Sequence, residues 1–221
     1  HNESGGIYLY KRTGTTWSNV GYHGGTGPGI KWGGAVALSP NKLVTRSLTT
    51  GGGRGKIYTM DIVAGYVDDR ASVSNYLKRD PSGGWNFGVM SLPTTANFGR
   101  SIDVNEDHPN YNWVIVGACA YGTGNQNQAF IFREGKVPGT TNWGSQVTIT
   151  PPNAVTNGSN FGCSVAIQGY SNGTAIAAIG ASTQPIGTPK GSAYIYKFDG
   201  STWSYVTQIS GATQTNALFG D

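Results

Sequence analysis

The stretch Phe161-Gly162-Cys163-Ser164-Val165-Ala166-Ile167 opens a pattern that decides the fold. It continues through Ile179-Gly180-Ala181-Ser182 and Gly191-Ser192-Ala193-Tyr194-Ile195-Tyr196, and closes at Gly200-Ser201-Thr202-Trp203. The same order of features precedes it as Phe98-Gly99-Arg100-Ser101-Ile102, Val116-Gly117-Ala118-Cys119, Ala129-Phe130-Ile131-Phe132 and Thr140-Thr141-Asn142-Trp143. A worn version starts at Trp32-Gly33-Gly34-Ala35-Val36-Ala37-Leu38, passes Gly55-Lys56-Ile57-Tyr58 and ends at Gly83-Gly84-Trp85.

Two sets of landmarks measure the repeat. Opening motifs at residues 32, 98, 161 and 219 stand 66, 63 and 58 residues apart, and closing tryptophans at 17, 85, 143 and 203 stand 68, 58 and 60 apart. Both agree on a period near sixty, which suits a four-stranded propeller blade with long loops. Such a unit cannot bury its apolar face alone and needs its neighbours.

Composition points the same way. Of 221 residues, 35 are glycine and only 12% are charged. Glycine supplies tight turns, and the abundant aromatic and Thr residues fit pleated surfaces. The best helical candidate, Asp68 to Asp80, is built from weak helix formers. The expected class is therefore all-β. No run of about eighteen apolar residues predicts a membrane span. The net charge of +4 reflects scarce acids, and only Lys11-Arg12 and Lys78-Arg79 are adjacent basic pairs, so no nucleic-acid groove is expected.

The repeat divides one propeller domain into the second half of a blade (1–31), a degenerate blade with an insertion within Asp61 to Thr95 (32–97), two whole blades (98–160 and 161–218) and the opening of another (219–221). The end fragments together lack a Val-Gly-Ala strand. The chain thus reads as a stretch of a longer one, with head-to-tail completion between copies as a variant.

These motifs resemble the FG-GAP repeat of integrin-like β-propellers, in the subtype whose blades run Phe-Gly-x-Ser-Val-Ala-Ile, Val-Gly-Ala, Gly-x-Ala-Tyr-Ile-Tyr and Gly-x-x-Trp. Residues 161–218 match nearly every element and residues 98–149 match well. Residues 32–85 match loosely, with Trp32 for Phe and Thr45-Arg46-Ser47 where Val-Gly-Ala is expected. The resemblance implies a propeller typically of seven blades, of which this chain would supply about half, or about four blades. It also implies an extracellular role in adhesion, ligand binding or surface architecture. Many members carry a calcium loop after the Phe-Gly strand. Asp103, Asn105 and Asp107 begin such a loop, but His108 replaces its turn glycine and no later carboxylate follows. A calcium ligand set and a solvated polar turn both stay open.

Other residues carry narrower expectations. Cys119 and Cys163 fall on elements that adjacent blades bring side by side, so a disulfide and a pair of buried thiols both fit. Asn2, Asn157 and Asn172 head N-glycosylation sequons, which favours a secreted or cell-surface location. Tyr111, Trp113, Tyr121, Asn125 and Asn127 are expected on loops that project together as a binding surface. Their aromatic faces and amides suit sugars as well as protein partners, while mutual packing of the rings is the plainer reading.

No nucleophile elbow, zinc-protease helix or phosphate loop is present, and the adjacent acids Asp68-Asp69 and Glu106-Asp107 form no dyad. Together with the resemblance, this implies a non-catalytic structural or adhesive building block, contacting other extracellular proteins or further copies of itself. A glycan-binding, lectin-like propeller is the alternative. The third reading is a copper-dependent polysaccharide oxidase built on the amine and ring of His1.

Overall fold

Alternating apolar and polar residues make many of the strands. The computed structural model describes residues 5–24, 30–49, 55–63, 66–67, 98–119, 127–136, 143–152, 159–183, 191–211 and 219–220. The helix candidate at 68–80 and most of the insertion lie outside them. Among the described residues there are fourteen strands and no helix. A two-stranded sheet joins β1 (Gly6–Thr13) to β2 (Thr16–Gly24).

Three four-stranded sheets follow in chain order, each with its strands in sequential antiparallel order. The first contains β3 (Ile30–Leu38), β4 (Lys42–Thr49), β5 (Gly55–Val63) and the short β6 (Tyr66–Val67). The second contains β7 (Phe98–Asn105), β8 (Tyr111–Ala118), β9 (Gln128–Gly135) and β10 (Trp143–Ile149). The third contains β11 (Phe161–Gly169), β12 (Ala175–Ala181), β13 (Ser192–Phe198) and β14 (Trp203–Ser210).

The second sheet lies between the other two, and β8 displays the consequence. Side chains alternate across a strand. Trp113 and Ile115 join the core shared with β11–β13, whereas Val114 and Val116 join the core shared with Val44 of β4 and Ile57 of β5. A strand covered on both faces reads as a continuous apolar run, Trp-Val-Ile-Val, and is buried along nearly its whole length. Phe161 is fully buried, worth about 1.5–3 kcal/mol for its side chain. A smaller core of Ile7, Leu43 and Met60 joins β1 to the first four-stranded sheet.

The opening Phe-Gly or Trp-Gly of each unit has one conformation. Gly33, Gly99, Gly162 and Gly220 have φ of 82°, 83°, 87° and 85°, which disfavours any side chain. In β3, β7 and β11 the pairing register breaks between the opening aromatic residue and the third or fourth residue beyond it, so this glycine sits in the irregularity.

β1 and β2 match β13 and β14 in detail. Both pairs carry a register irregularity at the same place, between Leu9 and Tyr10 and between Ile195 and Tyr196. The residue before each pair's first strand bridges the next opening motif in parallel, Gly5 with Trp32 and Gly191 with Phe219. Tyr8 and Tyr10 thereby hold the positions of Tyr194 and Tyr196.

A buried ion pair also crosses between sheets. Lys42 Nζ of β4 lies 2.9 Å from Glu134 Oε2 of β9, and the same carboxylate accepts a 2.9 Å hydrogen bond from Asn112 Nδ2. Removing one partner of such a pair costs about 3–5 kcal/mol because a charge is left buried alone.

Candidate functional site

The end of β7 and the turn into β8 gather a polar cluster that faces both neighbouring sheets. Toward the following sheet, Asp103 Oδ2 accepts from the Ile167 N–H at 2.8 Å while its Oδ1 accepts from the Val104 N–H at 2.9 Å. Asn105 Oδ1 accepts from the Gly169 N–H at 2.9 Å and from the Asp107 N–H at 3.0 Å. Asp107 Oδ2 takes one hydrogen bond from Gln168 Nε2, 2.8 Å, and one from Asn105 Nδ2, 3.0 Å. The Gln168 bond, then the Asn105 bond, hold the Asp107 carboxyl below its ordinary range.

Toward the preceding sheet, Glu106 Oε2 accepts from Ser39 Oγ at 2.7 Å and from the Asn41 N–H at 2.8 Å. Lys136 donates to the Glu106 carbonyl. One turn thus pins three consecutive sheets. The sequence identified its acids as calcium-ligand candidates. In the structure, the oxygens of Asp103 and Asn105 are aimed at peptide N–H groups. A calcium ion needs six to eight oxygens, and it would have to displace those bonds. Among the described residues no group of three or more His, Cys, Asp or Glu is placed to hold a metal. The donor set fits bracing better than a cation cage.

His108, where the calcium-loop pattern has glycine, is 1% exposed. Its Nε2 lies 3.0 Å from the Gly173 carbonyl oxygen, and its Nδ1 accepts from the Asn110 N–H at 3.2 Å. These partners require the neutral Nε2–H tautomer. Burial pushes its pKa down; the bond to Gly173 opposes this, and the charges of Lys136 and Arg133 add to the lowering. The ring stacks on Tyr111 with centroids 5.0 Å apart.

The aromatic binding residues expected here behave differently. Trp113 does not project. It lies in β8, 1% exposed, with its ring edge-on to Phe198 at 5.1 Å and to Trp203 at 5.5 Å. The strand begins at Tyr111, so the alternation carries Trp113 into the core toward the third sheet. Tyr111 is half-buried, with the Arg133 guanidinium 4.7 Å over its ring. Asn127 is also buried and its Nδ2 donates to Ser159 Oγ at 3.2 Å. Tyr121 and Asn125 lie outside the described residues, as do His1 and the sequon residues Asn2 and Asn157.

Asn172 stands exposed in the β11–β12 turn, where its Oδ1 accepts from the Thr174 N–H and hydroxyl at 3.1 and 2.8 Å. Its sequon therefore sits on an accessible turn. Cys119 and Cys163 form a disulfide, with Cα atoms 4.8 Å apart, linking the end of β8 to the start of β11.

The residues that sequence reading missed are those of the junction between units. Ser101 Oγ donates to the Gly162 carbonyl at 2.9 Å, and Ser164 Oγ donates to the Gly220 carbonyl at 2.9 Å. A Cβ on Gly117 would run into the Gly162 carbonyl oxygen, as one on Gly180 would into that of Gly220. The signal was present in the recurring Phe-Gly-x-Ser and Val-Gly-Ala or Ile-Gly-Ala motifs, which place these atoms together. Among the described residues no helix is long and apolar enough to cross a membrane.

No protein-family model matches this sequence, and no curated protein matches it.

Proposed function

We propose that the chain is a stretch of a non-catalytic, extracellular β-propeller of FG-GAP type, in which each four-stranded sheet is one blade. In this reading it serves as a structural or adhesive building block of a cell-surface or extracellular assembly. The observation that carries the reading is the recurring junction. The Ser101–Gly162 and Ser164–Gly220 bonds have the same length and the same atoms, and the Gly117–Gly162 approach recurs as Gly180–Gly220. A contact repeated with the same atoms relates successive sheets by a similar rotation, and successive rotations build a ring.

The end sheet supports this. Tyr194 and Tyr196 are buried against residues of β8–β10, whereas Tyr8 and Tyr10, at the equivalent positions, are 60% and 53% exposed. A bare aromatic face in register with a covered one fits another unit of the same kind. The Cys119–Cys163 disulfide suits an oxidising compartment, and Asn172 suits a glycan. Partners are other extracellular proteins or further copies of the chain, and the reading calls for no metal.

The test is to isolate the native material, weigh it before and after glycosidase treatment, and image it by negative-stain electron microscopy. Annular, bladed particles that lose glycan mass are expected. Rods or solid globules would overturn the ring.

A further inference from the structure

The junction between the first and second four-stranded sheets breaks the pattern of the other two. The opening aromatic residue pairs with Ser47 in the first sheet, with Ala118 in the second and with Ala181 in the third. Counting back one residue, Arg46 holds the position of Gly117 and Gly180. Counting forward from the aromatic residue, Ala35 holds the position of Ser101 and Ser164. Both halves of the recurring junction have therefore changed together: the serine has lost its hydroxyl, and the glycine has become a long cation.

Arg46 is 5% exposed, and its Nε and Nη2 are buried without a hydrogen-bond partner. Its stem runs against Gly99, where a Cβ would meet Arg46 Cγ and Cδ at 3.0 and 3.1 Å. Arg100, exposed on the adjoining β7, is near enough for its positive charge to act on Arg46. Burial first, and the Arg100 charge second, work against the Arg46 cation. Among the described residues, no carboxylate forms a hydrogen bond or ion pair with it. An arginine cannot shed its proton, so the charge stays.

The two unpartnered nitrogens are informative as a pair. Nε–H and Nη2–H project in parallel from one edge of the guanidinium, the edge that grips a carboxylate or phosphate with two hydrogen bonds. We propose that the Arg46 edge, with Arg100 as a second contact, is a binding site for one small oxyanion, a carboxylate or a tetrahedral phosphate or sulfate group. The fork is sealed from solvent in the unliganded chain, so the ligand enters by local opening of this junction. Opening is confined to the Gly99 end of the junction, which lacks the serine hydroxyl bond of the other two, while the Lys42–Glu134 pair and the Glu106 bonds hold the opposite end. The inference is independent of the ring: it needs only the first and second four-stranded sheets.

The full chain is unfolded thermally while acetate, phosphate or sulfate replaces chloride at constant ionic strength. A ligand that binds only the folded state raises the midpoint with single-site saturation. Such a rise is expected in the wild type and is expected to vanish in Arg46→Gly, which writes in the residue of the other junctions. Arg46→Lys keeps the charge but not the fork, and is expected to weaken the response at least tenfold in apparent affinity. A rise with acetate alone assigns a carboxylate ligand; one with phosphate and sulfate alone assigns a tetrahedral one. If Arg46→Gly does not fold, Arg46→Met takes its place with the same expectation. No saturable rise in the wild type, or an equal rise in the glycine or methionine variant, overturns the proposal.

Discussion

The carbonyl oxygen of Gly162 lies where a methyl group on Gly117 would have to stand. That approach seats the start of β11 against the ends of β8 and β9. Ser101 closes the same contact from the other side, since its hydroxyl donates to this carbonyl at 2.9 Å.

Gly117→Ala is therefore expected to destabilise the chain by about 1–3 kcal/mol, the ordinary range for forcing a methyl group into a packed interior. Backbone cannot swing aside as a flexible side chain would. Gly34→Ala is the control: its Cβ would meet only Arg46 Cδ, at 3.6 Å. It is expected to fall within about 0.5 kcal/mol of wild type. Urea unfolding midpoints at equal slope decide between them, and equal losses would show that the Gly117 contact is not tight.

The Cys119–Cys163 bond closes a loop of 44 residues across the second and third sheets. Restricting an unfolded chain over that length is worth about 4 kcal/mol in the chain-entropy treatment. Reduction, or the double substitution Cys119→Ser with Cys163→Ser, is expected to lower stability by about 2–4 kcal/mol. Parallel urea titrations with and without reductant measure it. A loss seen in the wild type but absent from the double serine variant isolates the disulfide as its cause.

The repeat was legible because its signature residues are dictated locally. Gly33, Gly99, Gly162 and Gly220 share a positive φ that side chains avoid, so the Phe-Gly spacing survives in the sequence as a ruler. The role of Asp103 was not legible. A carboxylate followed by Asn105 and Asp107 has the look of a cation loop, while the donor that ties it to the next sheet, the N–H of Ile167, is 64 residues away and has no side-chain signature. Trp113, expected on a projecting loop, lies in β8 beside the polar Asn112. Asn112 in fact enters a buried cluster with Glu134, and Trp113 alternates to the opposite face. Arg46 stood out only as a departure from Val-Gly-Ala, and its lack of a partner required coordinates.

His108 makes stability depend on pH. Its folded pKa lies below the unfolded value of 6.5, so below that pH the unfolded chain binds the proton first. Stability is expected to be fully present above pH 6.5 and to decline as the pH falls from there toward the lowered folded value. His108→Gln is expected to flatten this slope, at some cost in overall stability. Chemical denaturation from pH 7.5 to 5, with the ring titration followed by proton NMR, checks both. A ring that titrates at its ordinary value in the folded chain would contradict the neutral, doubly bonded state.

Tyr10 and Tyr196 occupy one position of the repeat in different surroundings, and the pair tests what covers the two-stranded sheet. The Tyr196 hydroxyl donates to the Thr150 carbonyl at 2.7 Å, across the boundary between the second and third four-stranded sheets, and burial pushes its pKa up. Tyr196→Phe is expected to cost about 1 kcal/mol, the net worth of one such hydrogen bond. Tyr10→Phe is expected to cost less than about 0.5 kcal/mol in the 221-residue chain, where that side chain is 53% exposed. If a further unit covers Tyr10 in the native particle, as the proposed ring requires, its substitution there is expected to cost about as much as that at Tyr196. Denaturation of both variants in both contexts measures the difference. A Tyr10 cost that stays small in the native particle would leave the Tyr8–Tyr10 face bare and remove the support it lends to a further blade.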